Sequence, residues 1–127
     1  MSRNMAFLAA RLSALQDLES RVQHVHGLVE QFASAVNRGA DSPLAVPLRR
    51  AFGQLKLAFL GAGMDTLSQL AGSMEIAAGR GTPSHRVRVL REGVGSMRHQ
   101  IELEQRTIHR ELNALREERG EDAGGAG

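Results

Sequence analysis

Ala51-Phe-Gly-Gln-Leu-Lys-Leu-Ala-Phe-Leu-Gly-Ala-Gly-Met-Asp-Thr-Leu-Ser-Gln-Leu-Ala-Gly-Ser-Met-Glu75 reads as two short helices joined by a tight turn. Leu48, Ala51, Phe52, Leu55, Ala58, Phe59 and Ala62 fall on one arc of a helical wheel, which predicts a core-facing side. Gly61-Ala62-Gly63 closes this helix, expected over residues 44–60, because a glycine doublet stops a helix cheaply. Asp65 can help start the next helix, expected over 64–78, and Gly79-Arg80-Gly81 ends it.

Outward from this hairpin the chain is helical on both sides. A first segment, about 3–38, carries Leu8, Leu15, Val22, Val29 and Val36 a heptad apart, with a second row of Leu18, Val25 and Phe32. Asn37-Arg38-Gly39-Ala40-Asp41-Ser42-Pro43 is a stop followed by turn residues. Gly27 leaves open whether the segment is one helix or two. Pro47 is tolerable only in the first turn of the second helix. Thr82 and Pro83 form an N-cap and first helical position for a fourth helix to about Glu118. There Val87, Val94, Ile101, Ile108 and Leu115 are again a heptad apart.

Short connections between amphipathic helices predict an all-α, antiparallel up-down four-helix bundle. The two outer helices, of about 36 residues, would each span ~54 Å. The inner two span less than half of that. The ends of the outer pair should therefore project as a helical hairpin. The second core row becomes polar there, with Arg11, Glu104 and Glu111, which suits two helices better than four. The expected domain is 1–119, and the Gly-rich tail 120–127 is expected to be flexible.

Composition narrows the function. The chain has 127 residues, four Phe, no Trp, Tyr or Cys, and a net charge of +2. Disulfides, thiol catalysis and thiolate metal sites are excluded. Acidic and basic residues are interspersed along the chain, so nucleic acid is not an expected partner. No run reaches the ~20 apolar residues of a membrane helix, so no membrane insertion is expected. Arg11, Asp17 and Glu19 interrupt any signal-peptide pattern, and a cytoplasmic protein is expected.

Within the opening segment, Lys56 is the only lysine; the other fifteen basic residues are arginine. The Leu55-Lys56 pair, Gly63, and Leu67, Leu70, Met74 and Glu75 together resemble the core of a histidine-containing phosphotransfer (HPt) domain. That family's pattern is His-x-Leu-Lys-Gly, a Gly ten residues after the His, then Leu-x-x-Leu-x-x-x-Leu-Glu. The resemblance places the phospho-accepting His at position 53, which is Gly53 here, and a Gly at position 57, which is Leu57. It covers residues 43–80 well and the four-helix layout loosely. It implies an HPt-like bundle that cannot carry the phosphoryl group at position 53.

Opposite its core arc the second helix presents Val46, Gly53, Gln54, Leu57 and Leu60, rimmed by Arg49, Arg50 and Lys56. A helix apolar on two faces normally has two things to touch. The expected function is a non-catalytic interaction module of two-component signalling, docking through these eight residues on a response-regulator receiver domain or a histidine kinase. One alternative is a structural homodimer or coiled-coil scaffold. Another is phosphotransfer through a displaced His99 or His109. His24 and His26 lie about 200° apart on a helix and cannot share a metal ion. No zinc site, phosphate loop or nucleophile–base pair is visible, so neither an enzyme nor a cofactor is expected.

Overall fold

The computed structural model describes residues 2–39 and 44–124, with side chains described for 4–39 and 44–119. These residues form a bundle of four helices, α1 Ser2–Asn37, α2 Ala45–Gly61, α3 Asp65–Ala77 and α4 Pro83–Gly124. Among the described residues there is no strand. α1 packs on α2 and α4, and α3 packs on α2 and α4, whereas the α1 and α3 backbones, like those of α2 and α4, lie diagonally across the core without close approach. The helices therefore form a ring around one core.

Local chemistry sets the helix ends. α2 closes in a Schellman motif. The Met64 amide donates to the Phe59 carbonyl at 2.9 Å and the Gly63 amide to the Leu60 carbonyl at 3.0 Å. Gly63 takes φ +73°, a conformation that costs an L-residue with a Cβ. The expected cap of α4 is present, with the His85 amide donating to Thr82 Oγ1 at 3.3 Å ahead of the run from Pro83. Asp65 lies in the first turn of α3 without capping it by a side-chain hydrogen bond, leaving its charge against the helix N-terminus.

The core follows the helical periodicity. Leu15, Leu18, Val22, Val25, Val29 and Phe32 of α1 meet Leu48, Phe52, Leu55 and Phe59 of α2. Leu67, Ala71 and Met74 of α3, and Leu90, Val94, Met97 and Ile101 of α4, complete it. Each large side chain here contributes roughly 1.5–3 kcal/mol by leaving water. Ser68, the one buried polar residue among those described, donates from Oγ to the Lys56 carbonyl at 3.0 Å and pins α3 to α2.

Along α1 and α4 the partners are ordered. Arg11 bonds Glu104 at 2.9 Å and Glu30 bonds Arg91 at 2.8 Å, so residue numbers rise in one helix as they fall in the other. The Arg11 guanidinium also donates to the carbonyl of Ala62, where α2 ends. Arg11 thus marks the level at which the α2–α3 hairpin stops. Beyond it α1 and α4 continue together, burying Ile108 and Leu112 and half-burying Leu8. The polar position in the second core row is this ion pair.

One open point is decided and three expectations change. α1 is continuous through Gly27, since one glycine costs only about 1 kcal/mol inside a helix held by tertiary packing. α4 runs to Gly124 rather than Glu118, because propagating an established helix is cheap and no proline intervenes. Residues 120–124 of the expected tail are thus helical, and 125–127 lie outside the described residues. In the last layer Leu112 is buried and Leu115 only half-buried. A straight helix drifts by about 20° per heptad, so the fifth heptad position walks off the seam and the residue four after Ile108 enters it.

The third change concerns charge. Along the chain, acids and bases alternate, but folding gathers Arg38, Arg49, Arg50, Arg80, Arg86, Arg88 and Arg91 where α1 ends, α2 begins, α3 ends and α4 begins. Among the described side chains only Glu30, Glu75 and Glu92 oppose them there, and Glu30 is taken by Arg91. The interspersion read along the chain does not survive the pairing of helix ends.

Candidate docking surface

The wheel placed α2's two faces correctly. Leu48, Phe52, Leu55 and Phe59 are buried, whereas Val46, Leu57 and Leu60 are 58%, 63% and 56% exposed. Arg49, Arg50 and Gln54 are exposed, and Gly53 and Lys56 are half-buried. All eight predicted residues are on one helix, and the structure divides them among three environments.

Towards α3, Val46, Arg49, Arg50 and Gly53 border a groove of about 360 Å³ whose far wall is Glu75. Position 53 is not an open platform. A Cβ added there would run into the carboxylate of Glu75. The close neighbour that the missing side chain admits is therefore α3 of the same chain. The Lys56 stem lies along α3 as well, with Cδ 3.2 Å from where a Cβ of Gly72 would sit. Lys56 is a partly packed inter-helix residue rather than a free rim charge.

Towards α1, Arg50 and Gln54 border a second groove, of about 490 Å³, completed by Ser20, Arg21, His24 and Leu28. Arg21 is held by Asp17 at 2.9 Å. Leu57 and Leu60 line neither groove; they stand on the ridge between α1 and α3.

Sequence reasoning missed the contributions of α3. Ile76 is 57% exposed, and with Arg49, Glu75, Gly79 and Arg80 it borders a further depression of about 240 Å³. Its signal was legible: Leu67, Ala71, Met74 and Ala78 define the buried side of α3, and Ile76 is apolar out of that phase. Glu75 was read only as part of a helix motif, although it overlies Gly53.

The remaining candidates are dispersed. His24 faces the α1–α2 groove. His26 lies near enough to Glu30 to help lower its pKa. His99 and His109 are exposed on α4, which lies diagonally across the core from α2. Among the described residues no group of three or more His, Asp or Glu side chains is placed to hold a metal ion. No helix among them is long and apolar enough to cross a membrane. No family model, curated protein or solved structure matches the chain.

Proposed function

We propose that this chain is a non-catalytic, HPt-like docking module built as an antiparallel up-down bundle. Its partner is a receiver or histidine-kinase domain of a two-component signalling system. The observation that carries the reading is the doubly apolar character of α2. One face is sunk in the core, while Val46, Leu57 and Leu60 stand in a line in solvent over about 21 Å. Exposed aliphatic side chains in a row, beside arginines that can match an acidic surface, have the make-up of an interface centre with a charged rim. The Leu55-Lys56 pair and the register of Gly63, Leu67, Leu70 and Met74 support the family likeness. Glu75 over Gly53 supports a role without phosphate transfer at that position.

Self-association is the second reading, favoured by Phe7, which is 69% exposed on the extension of α1 and α4. One experiment separates the two. Wild type and a Leu57→Asp/Leu60→Asp variant of confirmed helicity are used to capture partners from the source cell lysate, and both are weighed by sedimentation equilibrium. Recovery of a receiver or kinase domain by wild type alone supports docking through α2. Identical recoveries, with a mass that rises with concentration in both proteins, move the function to the long helices.

A further inference from the structure

Two depressions on the α2–α3 face adjoin at the Arg49 and Glu75 side chains, which line both, and together they mark out one grooved run of surface. It begins at Val46, passes over Gly53 and ends at Arg80. Its polar and apolar parts are ordered. Val46 on α2 and Ile76 on α3 are large, apolar and exposed. Arg49, Arg50 and Arg80 are exposed, and none of them is in an ion pair among the described residues. Gly53 contributes no side chain, so the groove there reaches down to the carboxylate of Glu75, which is half-buried and has no ion pair among the described residues.

We infer that this groove receives a short acidic segment of another protein that carries aliphatic side chains. The partner's carboxylates lie against Arg49, Arg50 and Arg80, its aliphatic groups rest on Val46 and Ile76, and a backbone or hydroxyl donor meets Glu75. Charge complementarity selects this occupant. Three arginines around the rim, none in an ion pair among the described residues, attract an anion, and guanidinium forks suit carboxylates. A phosphate array, whether a bilayer surface or a nucleic-acid backbone, is a poorer match. It would press many negative charges towards Glu75, and a flat or convex surface cannot follow the groove down to Gly53. The basic end formed by α1, α2, α3 and α4 adds a long-range field that steers an acidic partner to this mouth.

The inference rests on the docking reading only in that α2 meets a partner. It adds the α3 wall, the end of α2 that is used, and the partner's chemistry.

The test uses the full chain, isotope-labelled for amide NMR. It is titrated with a short amphipathic helical peptide bearing Glu and Leu, and with the same peptide carrying Gln for every Glu. Phosphatidylglycerol vesicles and a DNA duplex are titrated in parallel. The expected result is saturable shifts at Arg49, Gly53, Glu75, Ile76 and Arg80 with the Glu peptide alone, weakened by added salt. An Arg49→Gln/Arg80→Gln variant with unchanged helicity should bind roughly tenfold more weakly. Equal binding of the Gln peptide, shifts confined to other faces, or a response to vesicles or DNA without one to the Glu peptide would overturn the inference. The two ideas fail separately. Loss of receiver capture in the Leu57→Asp/Leu60→Asp variant, with no peptide binding, leaves the docking reading standing and removes this one. Peptide binding at Arg49 and Arg80, without receiver capture, does the reverse.

Discussion

Gly53 and Gly93 are both helical glycines with a side chain of α3 packed over them, and they should answer substitution in opposite directions. Over Gly53 lies the far end of Glu75, a flexible carboxylate at a half-buried site. A methyl group there needs only a rotation of Glu75 and gains helix propensity. Gly53→Ala is expected to stabilise the protein by a few tenths to about 1 kcal/mol. Gly93 is buried, and a Cβ there would meet the sulfur and two carbons of Met74 inside the core. Gly93→Ala is expected to destabilise by about 1–3 kcal/mol, the usual cost of overpacking. Urea unfolding of the two variants beside wild type checks both signs; two shifts in the same direction would refute the assignment. Neither difference could be read from the chain, where both are glycines within amphipathic runs. It depends on which α3 side chain lies across each.

At the scale of elements, α1 and α4 are held in register by charged pairs at two levels. The upper one, Glu30 with Arg91, is a two-point fork at 2.8 and 2.9 Å. The hydrogen bond from Arg91 pulls the Glu30 carboxyl below its ordinary value of 4.5; burial opposes it, and the charges of Arg91 and then His26 add smaller effects in the lowering direction. A depressed acid stabilises the fold while it is ionised. The contribution is complete above about 4.5, is lost as pH falls through the lower folded value, and vanishes below it. Arg91 stays charged throughout, since its own pKa is raised by the same bond. The stability gap between wild type and Glu30→Gln should therefore be widest above pH 4.5 and close on acidification. The pair is half exposed, so the gap is small and should shrink in high salt as well. Chemical denaturation across this pH range, at two salt concentrations, measures it; a gap that widens on acidification contradicts the account. The heptad rows announced that these two helices pair, but nothing in the sequence paired Glu30 with Arg91.

For the molecule as a whole, the unequal helix lengths produce two regions of different cohesion. Around Val22, Phe52, Ala71 and Val94 four helices enclose the core. Past the Arg11–Glu104 level only α1 and α4 remain, and Leu8 and Leu115 are half-buried. Opening the extension exposes much less apolar surface than opening the bundle. Amide hydrogen exchange is expected to be slowest within 15–33, 48–59 and 87–101, and orders of magnitude faster within 4–10 and 113–119. Uniform protection along α1 would show that something else, a second copy included, covers the extension.

The sequence by itself determined that the described residues are helical without strands, where the helices start and stop to within a residue or two, the end of α4 excepted, and which side of α2 is buried. Those features depend on periodicity, capping and glycine or proline chemistry, and all of these act within a few residues. Tertiary structure alone decided what lies across each helix. It put Glu75 over Gly53, laid Lys56 along Gly72, divided the eight residues of α2 between two grooves and a ridge, and brought Ile76 and Arg80 beside Arg49. It also gathered seven arginines, scattered from position 38 to 91, at one end of the bundle. The physical reason is the same in each case. A helix specifies its own faces through the order of its side chains, but which face of a neighbouring helix it meets, and at what height, depends on how all four pack around the core.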